Sequence, residues 1–319
     1  MTTFFPTFHS TRRPVSSGML GAVIQLQRQD LLTGLVDVVY PGGEQALLLF
    51  NLGVPIHLFY SDATGTRKIL HTQWGDIFGH PNGSAAVLPL GGDSLRLCLM
   101  ALEADHTQVE ELQLRPGGLA KHFELVKAEE TVSLFRVRDE AFSGLVAVPG
   151  SNVPAQDALV FTAQGVLCDS KAISYLASME DRLLRITKYE PSFSSGPVQE
   201  YALRMAFLAL TAPFLGRFEQ LAGSALVNSL GREVNNYAYH QGWKIQFFGK
   251  QIQHRQFFPE AAESATVYRS IYRLIQGYTQ RVVGRALASS LLSESVKYLP
   301  AKYRAVFESQ NFLTARDGA

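Results

Sequence analysis

Three residues close in sequence, His71, Asp76 and His80, offer nitrogen and oxygen donors of the kind that hold a divalent metal. Their spacing fits neither one helix face nor a tight turn, so structural or surface roles are expected and no metal. His57 stands at the start of a strand. A general base needs a partner and a cleft, and the sequence names neither, so a structural role is expected there too. A third set is larger: Trp243, Lys244, Phe247, Phe248, Lys250, His254, Arg255, Phe257 and Phe258 interleave aromatic rings with cations. Such a strip can stack and neutralise single-stranded nucleic acid, or it can grip an acidic protein surface. Lys244, Lys250 and Arg255 are too few to hold a polyanion tightly. Protein docking is therefore expected, with Trp243, Lys244, Lys250, His254 and Arg255 as the partner-binding candidates and no nucleic acid.

The sequence carries no phosphate-cradling G-x-x-x-x-G-K-[ST], no G-x-G-x-x-G, no H-E-x-x-H, no C-x-x-C and no G-x-S-x-G. An acidic pair with a downstream lysine, as in phosphorylated receivers, is also missing. No catalytic residues and no cofactor are expected. The 319 residues suffice for two or three domains with a large core. Charged residues make up 18% and hydrophobic ones 46%, the balance of a folded globular chain. The net charge of +1 gives no global reason to expect nucleic acid or an anionic membrane. The charge is uneven, however. Residues 1–199 carry 15 Lys and Arg against 20 Asp and Glu, and residues 200–319 carry 14 against 8. A basic C-terminal surface that docks an acidic partner or the N-terminal half itself is one reading, and chance variation between two domains is the other.

Cys98 and Cys168 both lie in apolar runs, as reduced cytoplasmic thiols do. The N-terminus lacks the basic and apolar regions of a signal peptide. The apolar stretch from Met205 to Leu215 is about half a membrane span. A soluble, cytoplasmic protein without a membrane span is expected.

The elements that would position these residues begin with a helical stripe at Leu20, Val23, Ile24, Leu26, Leu31 and Leu32. Thr33-Gly34-Leu35-Val36-Asp37-Val38 alternates as a strand and ends at Pro41-Gly42-Gly43. The run from Ala46 to His57 reads as a buried strand through Phe50, a turn at Gly53 with positive φ, and a second strand. A helix thus leads into an antiparallel hairpin. Trp74-Gly75-Asp76-Ile77-Phe78 and the leucine-rich Leu95–Asp105 follow.

That order, with a T-G-x-x-x-V strand at Gly34 and an L-x-F-x-x-G-x-x-x-H hairpin through Phe50, Gly53 and His57, resembles the PATAN domain, a signalling module first named from bacterial response regulators. The Trp74 patch occupies the position of that family's W-x-x-G-x-F, with one residue fewer. The match covers roughly residues 14 to 106, a third of the chain. The resemblance implies a regulatory protein-interaction module without catalytic residues, and partners such as a response regulator, a small GTPase system or a motility or differentiation component.

The remaining chain divides by pattern. Residues 1–13 read as an arm that packs its phenylalanines onto the body or onto a partner, and 14–110 as the PATAN-like domain. Residues 111–180 read as a second, degenerate α/β unit, because Ala158–Cys168 echoes the run around Gly53. Residues 181–319 read as a helical domain with a hairpin inserted at Trp243–Gln256, and Pro213 is expected to kink or restart its first long helix. Within it, Gly223 to Glu233 lines up with Gly284 to Glu294 at a constant offset of 61. The small residues Gly223, Ala225, Gly284 and Ala286 are expected to form a close helix–helix seam. The fold class expected is α+β. The function expected is a non-enzymatic bacterial signalling adaptor. The runner-up is a small-molecule sensor with a pocket in the helical domain, and an enzyme of unrecognised type is the third and least supported reading; a self-complementary apolar patch would point instead to a dimeric scaffold, a homo-oligomer.

Overall fold

Val36 and Val38 alternate along their strand with Leu35 and Asp37, and all four are buried. A strand buried on both faces must be covered on both faces, and that requirement shapes the N-terminal half. The computed structural model describes residues 12–79, 82–103, 106–115, 117–127, 132–149, 157–179, 181–297 and 299–310. The expected arm up to residue 11 and the candidate ligand His80 lie outside them. The chain has two compact units, one up to Ser195 and one from Gly196. It combines helices with antiparallel sheets, an α+β architecture.

The first unit contains two six-stranded sheets. Elements β1 (Arg13–Ser16), α1 (Ser17–Gln29), β2 (Gly34–Val39), β3 (Gln45–Asn51), β4 (Val54–Asp62), β5 (Gly65–Ile69), α2 (Trp74–Phe78), β6 (Asn82–Pro89) and α3 (Gly92–Glu103) follow in order. The first sheet has the strand order β1-β6-β2-β3-β4-β5. Then come β7 (His106–Leu114), α4 (Gly118–Lys127), β8 (Ser133–Asp139), β9 (Phe142–Val148), β10 (Asp157–Thr162), β11 (Gly165–Cys168), α5 (Asp169–Ser178) and β12 (Leu184–Pro191). The second sheet has the order β7-β12-β8-β9-β10-β11. Counted along the chain, the two orders are the same.

The match extends to a turn. Two residues join β4 to β5 and two join β10 to β11, and the glycines that follow, Gly65 and Gly165, have φ of 133° and 139°. In each turn a side-chain oxygen, of Asp62 or Thr162, accepts from the backbone N–H two residues on, at 2.8 and 3.2 Å. The topology therefore aligns Gly165 with Gly65 and not with Gly53. The repeat unit is also longer than 111–180. It begins at β7, and it ends with β12, in a segment that sequence pattern assigns to helix. Leu184 and Ile186 are buried and alternate with exposed Arg185, a two-residue period that marks a strand.

Each sheet carries helices on its outer face. On the first, Leu20 of α1 packs with Val36, Val38, Leu48, Phe50 and Leu58, and Trp74 and Phe78 of α2 close the edge. On the second, Phe123 of α4 and Leu176 of α5 pack with Phe135, Val146, Val160 and Ile186. α3 touches β2 and β5 of the first sheet and β9 and β10 of the second. Leu95 to Ala101 are all buried, including Arg96, which donates to Asp93 at 2.7 Å. The chain meets the sheet before the arm was expected to end. Arg13 opens β1, and Arg12 forms an ion pair with Asp37 of β2, which also accepts from Gln45 at 2.9 Å. Desolvation raises the pKa of this buried carboxyl, and the Arg12 guanidinium opposes the shift.

The second unit is helical. It holds α6 (Gly196–Ala222), α7 (Ser224–His240), the hairpin β13 (Ile245–Phe248) and β14 (Gln251–His254), α8 (Ala261–Val283), α9 (Arg285–Lys297) and α10 (Ala301–Ser309). α6 runs through Pro213 without a break. Pro213 is exposed, so water can take the carbonyl bond that its missing N–H leaves open. Gly223 and Gly284 separate the helices of each pair with nearly the same backbone, φ and ψ of 86° and 160° against 84° and 159°. The pairs meet as equals. Phe207 stacks on Tyr268, its counterpart 61 residues on, at 4.6 Å and 13°. Glu233 accepts from Arg281 at 2.8 Å, and its counterpart Glu294 pairs with Arg217, so each short helix is tied to the other pair's long one. The small-residue seam is not formed. Ala225, Ala286, Gly223 and Gly284 are exposed, and a Cβ at either glycine would touch nothing. These residues turn corners, and the buried face is Val227 and Leu230 with Ala288 and Leu291. Among the described residues no helix is long and apolar enough to cross a membrane.

Three substitutions test these assignments through stability. Gly53 has φ 79°, and a Cβ there would lie 2.5 Å from the Arg28 carbonyl oxygen. Gly53→Val is expected to destabilise the first unit by about 2–4 kcal/mol, read as a lowered denaturation midpoint. In the second unit Ala286→Leu is expected to stay within about 0.5 kcal/mol of the parent chain, because the position is exposed. Ala288→Leu is expected to cost about 1–3 kcal/mol through overpacking. Chemical melts of the two variants side by side distinguish corner from seam.

Candidate functional site

The expected strip at Trp243–Arg255 is not assembled as one surface. Ile245 and Phe247 face the helices and are buried, and in the antiparallel register Ile245 stands opposite His254. Register therefore takes His254 into the core. Its Nε2 lies 2.7 Å from the Tyr268 hydroxyl, and its carbonyl accepts from Arg204 Nη2 at 3.0 Å. His254 ties the hairpin to α6 and α8, and it is not available to a partner. Lys250 pairs with Glu219 at 2.8 Å. Trp243 is half-buried, edge-on to Tyr237 at 5.5 Å. Of the five, Lys244 and Arg255 are exposed cations that form no ion pair among the described residues. Asn235 of α7 accepts from Phe247 N at 2.7 Å and donates to its carbonyl at 3.0 Å, occupying one edge of the ribbon as a strand would.

The other candidates are also structural in setting. His71 leans on Trp74 with rings 4.4 Å apart, and Trp74 donates to the Ile69 carbonyl at 3.1 Å. Among the described residues no three His, Cys, Asp or Glu side chains group as metal ligands. His57 is half-buried, edge-on to Phe59 at 6.2 Å. Cys98 is fully buried, and burial pushes its thiol far above the usual range; desolvation also raises the half-buried Cys168. Neither is poised as a thiolate nucleophile.

The feature that sequence reasoning missed lies where α1 meets the β3–β4 hairpin. After the cap residue Asp30, Leu31 adopts φ 53°. Leu32 N donates to Gln27 O at 3.0 Å and Leu31 N to Arg28 O at 3.4 Å, the pair of bonds that closes a Schellman helix end. Glycine normally holds the position of Leu31. Nearby, the two-residue turn Leu52-Gly53 has φ of 50° and 79°, the primed class that suits a right-twisted hairpin. Its first position normally holds asparagine or glycine. Gly53 N donates to Leu32 O at 2.8 Å and Leu52 N to Thr33 Oγ1 at 3.1 Å, so the turn is locked against the end of α1. Gly34, which starts β2, likewise leaves no space for a Cβ: one would sit 2.2 Å from the Leu88 carbonyl oxygen.

Two leucines thus occupy left-handed positions where a β-carbon costs about 1–2 kcal/mol each. Neither gains burial in exchange, since Leu31 is 64% exposed and Leu52 46% exposed. Leu26 and Val54, next along the helix and the strand, are exposed as well. The result is a fixed apolar knuckle, flanked by exposed Arg28 and Asp30. Strain held at an exposed position marks a candidate functional site. A usable signal was in the sequence, a predicted helix end and a tight turn each lacking the expected small or polar residue. No protein-family model, curated protein or solved structure matches the chain.

Replacing the strained leucines with the residues that the backbone favours is expected to stabilise the fold. Leu31→Gly and Leu52→Asn should each raise stability by about 0.5–1 kcal/mol, seen as higher melting temperatures. An unchanged or lower midpoint for both would remove the strain assignment.

Proposed function

We propose that the chain is a non-enzymatic adaptor that binds another protein through the knuckle formed by Leu26, Leu31, Leu52 and Val54. The observation that carries the reading is the pair of leucines held in water in left-handed backbone, where packing gives no return. An exposed apolar cluster of this kind is what a protein interface buries at its centre. The resemblance of residues 14 to 106 to PATAN modules supports the same class, and it suggests a bacterial signalling partner such as a response regulator, a small GTPase system or a motility or differentiation component. A cytoplasmic setting fits both thiols being free. Lys244 and Arg255 form a second, weaker contact zone that biases encounter with acidic partners and leaves nucleic acid unbound.

The sensor alternative needs a cavity among the helices. The space between α6 and α8 is instead crossed by stacked Phe207 and Tyr268, with Phe218 set edge-on to Tyr278. No specific observation favours that reading.

The test is affinity capture from the native cytosol with the full chain, wild type beside Leu31→Glu/Leu52→Glu. The exposed positions should tolerate glutamate without unfolding, checked by circular dichroism. A partner retained by the wild type and lost from the folded double variant is expected. Retention of every partner by the variant would reject the knuckle. A tight single-stranded nucleic-acid complex abolished by Lys244→Glu/Arg255→Glu would reject the protein-adaptor reading.

A further inference from the structure

The two sheets of the first unit end in four edge strands, and three of them are protected. β1 has four residues and contains Pro14, β5 has five with Arg67 and Lys68, and β11 has four. Short length, proline and lysine are the usual guards of an open edge. β7 is the exception. It has nine residues, without proline, glycine or lysine, although β1 is its counterpart in the strand order. It pairs with β12 alone, and no described strand lies on its outer side. Thr107, Gln108, Val109, Glu110, Glu111 and Gln113 are exposed, and Leu112 and Leu114 turn partly inward.

Charge selects the occupant. Glu110 and Glu111 stand at the centre of β7 and, being adjacent, point to opposite faces of the ribbon. Glu111 shares Arg185 of β12 at 3.4 Å, with both side chains about half exposed. A second copy laid antiparallel about the centre of the strand would set carboxylates against carboxylates, which is unfavourable on either face. The register shift at Lys188/Tyr189 leaves Val109 unpaired and adds local twist, a further obstacle to flat self-pairing. A basic strand meets neither objection from charge. We propose that β7 is a docking edge for an extended, lysine- or arginine-bearing segment of a partner protein, which joins the second sheet as an added strand. Main-chain hydrogen bonds supply the affinity and the two carboxylates the choice of sequence.

The inference rests on the adaptor reading for its class of ligand, but it uses different residues on a different sheet. The probe is a fluorescent peptide of about eight residues, valine and threonine around a central pair of adjacent lysines, so that one lysine falls on each face, and it is long enough to span most of β7. It is titrated into the full chain at physiological ionic strength. Saturable binding is expected, weakened by about tenfold in Glu110→Gln/Glu111→Gln, because two cross-strand charge pairs are removed. The same peptide with alternate amides N-methylated keeps its charge but cannot pair its backbone, and it should not bind. If the double variant fails to fold, the two peptides on the wild-type chain decide alone. Equal binding of both peptides, no binding of the unmodified one, or an undiminished affinity in the folded variant would each overturn the proposal. So would a dimer of the wild-type chain in sedimentation that Glu110→Gln/Glu111→Gln alters, since that gives the edge to a second copy. Loss of the peptide result with partner capture through Leu31 and Leu52 intact would retire the edge and leave the adaptor reading standing.

Discussion

The central strands of both sheets in the first unit are buried on both faces, and the interior polar groups of such strands have no water to fall back on. α3 answers this constraint for both sheets at once. It lies against β2 and β5 on one side and β9 and β10 on the other, which is why its leucines run all round the helix instead of forming one stripe. A helix buried on every side must carry its polar members in satisfied pairs, and Arg96 does so with Asp93 one turn away. Ser94, also buried, reaches Asp169 of the second copy at 3.3 Å. The two copies are therefore halves of one core and could not be separated at α3 without exposing it.

The parts of the fold that were legible in sequence are those governed by local pattern. The stripe of α1, the alternation of β2 and the apolar run of β3 gave the hairpin and its glycine, because buried faces impose periods of 3.6 and 2 residues. The offset of 61 gave the pairing of Gly223 with Gly284, and the structure returns it as matched backbone angles. What failed was the step from a repeated pattern to a packing contact. Small residues three and four apart permit close approach, but they also serve where a chain must turn, and only the neighbours decide. β12 was missed for a related reason. It pairs with two strands distant in sequence, β7 and β8, so nothing beside it announces a hairpin.

The candidate residues divide along the same line. Register, not composition, sent His254 inward, since a hairpin residue opposite Ile245 must share the face of Ile245. Composition showed five interleaved polar and aromatic residues but could not assign them to faces, nor see that Glu219, 31 positions before Lys250, would neutralise it. The knuckle was hidden in the opposite way. Leucines in an apolar stretch read as core, and their exposure follows from a helix end and a turn locking onto each other through Gly53 and Leu32.

The first copy joins β3 to β4 by two residues, whereas residues 149–156 separate β9 from β10 in the second. The tight, strained turn is thus a property of one copy, and sheet closure does not demand it, because the other sheet reaches the same strand order without it. The same comparison isolates the long edge, since β7 has more than twice the length of its counterpart β1. A repeat fixes what the fold requires, and departures between copies show where the sequence has been free to serve something else. By that logic the strained leucines of the first copy and the unguarded strand of the second are the two places where stability and edge protection were set aside. Both are surfaces, and both are of the kind that another polypeptide can cover.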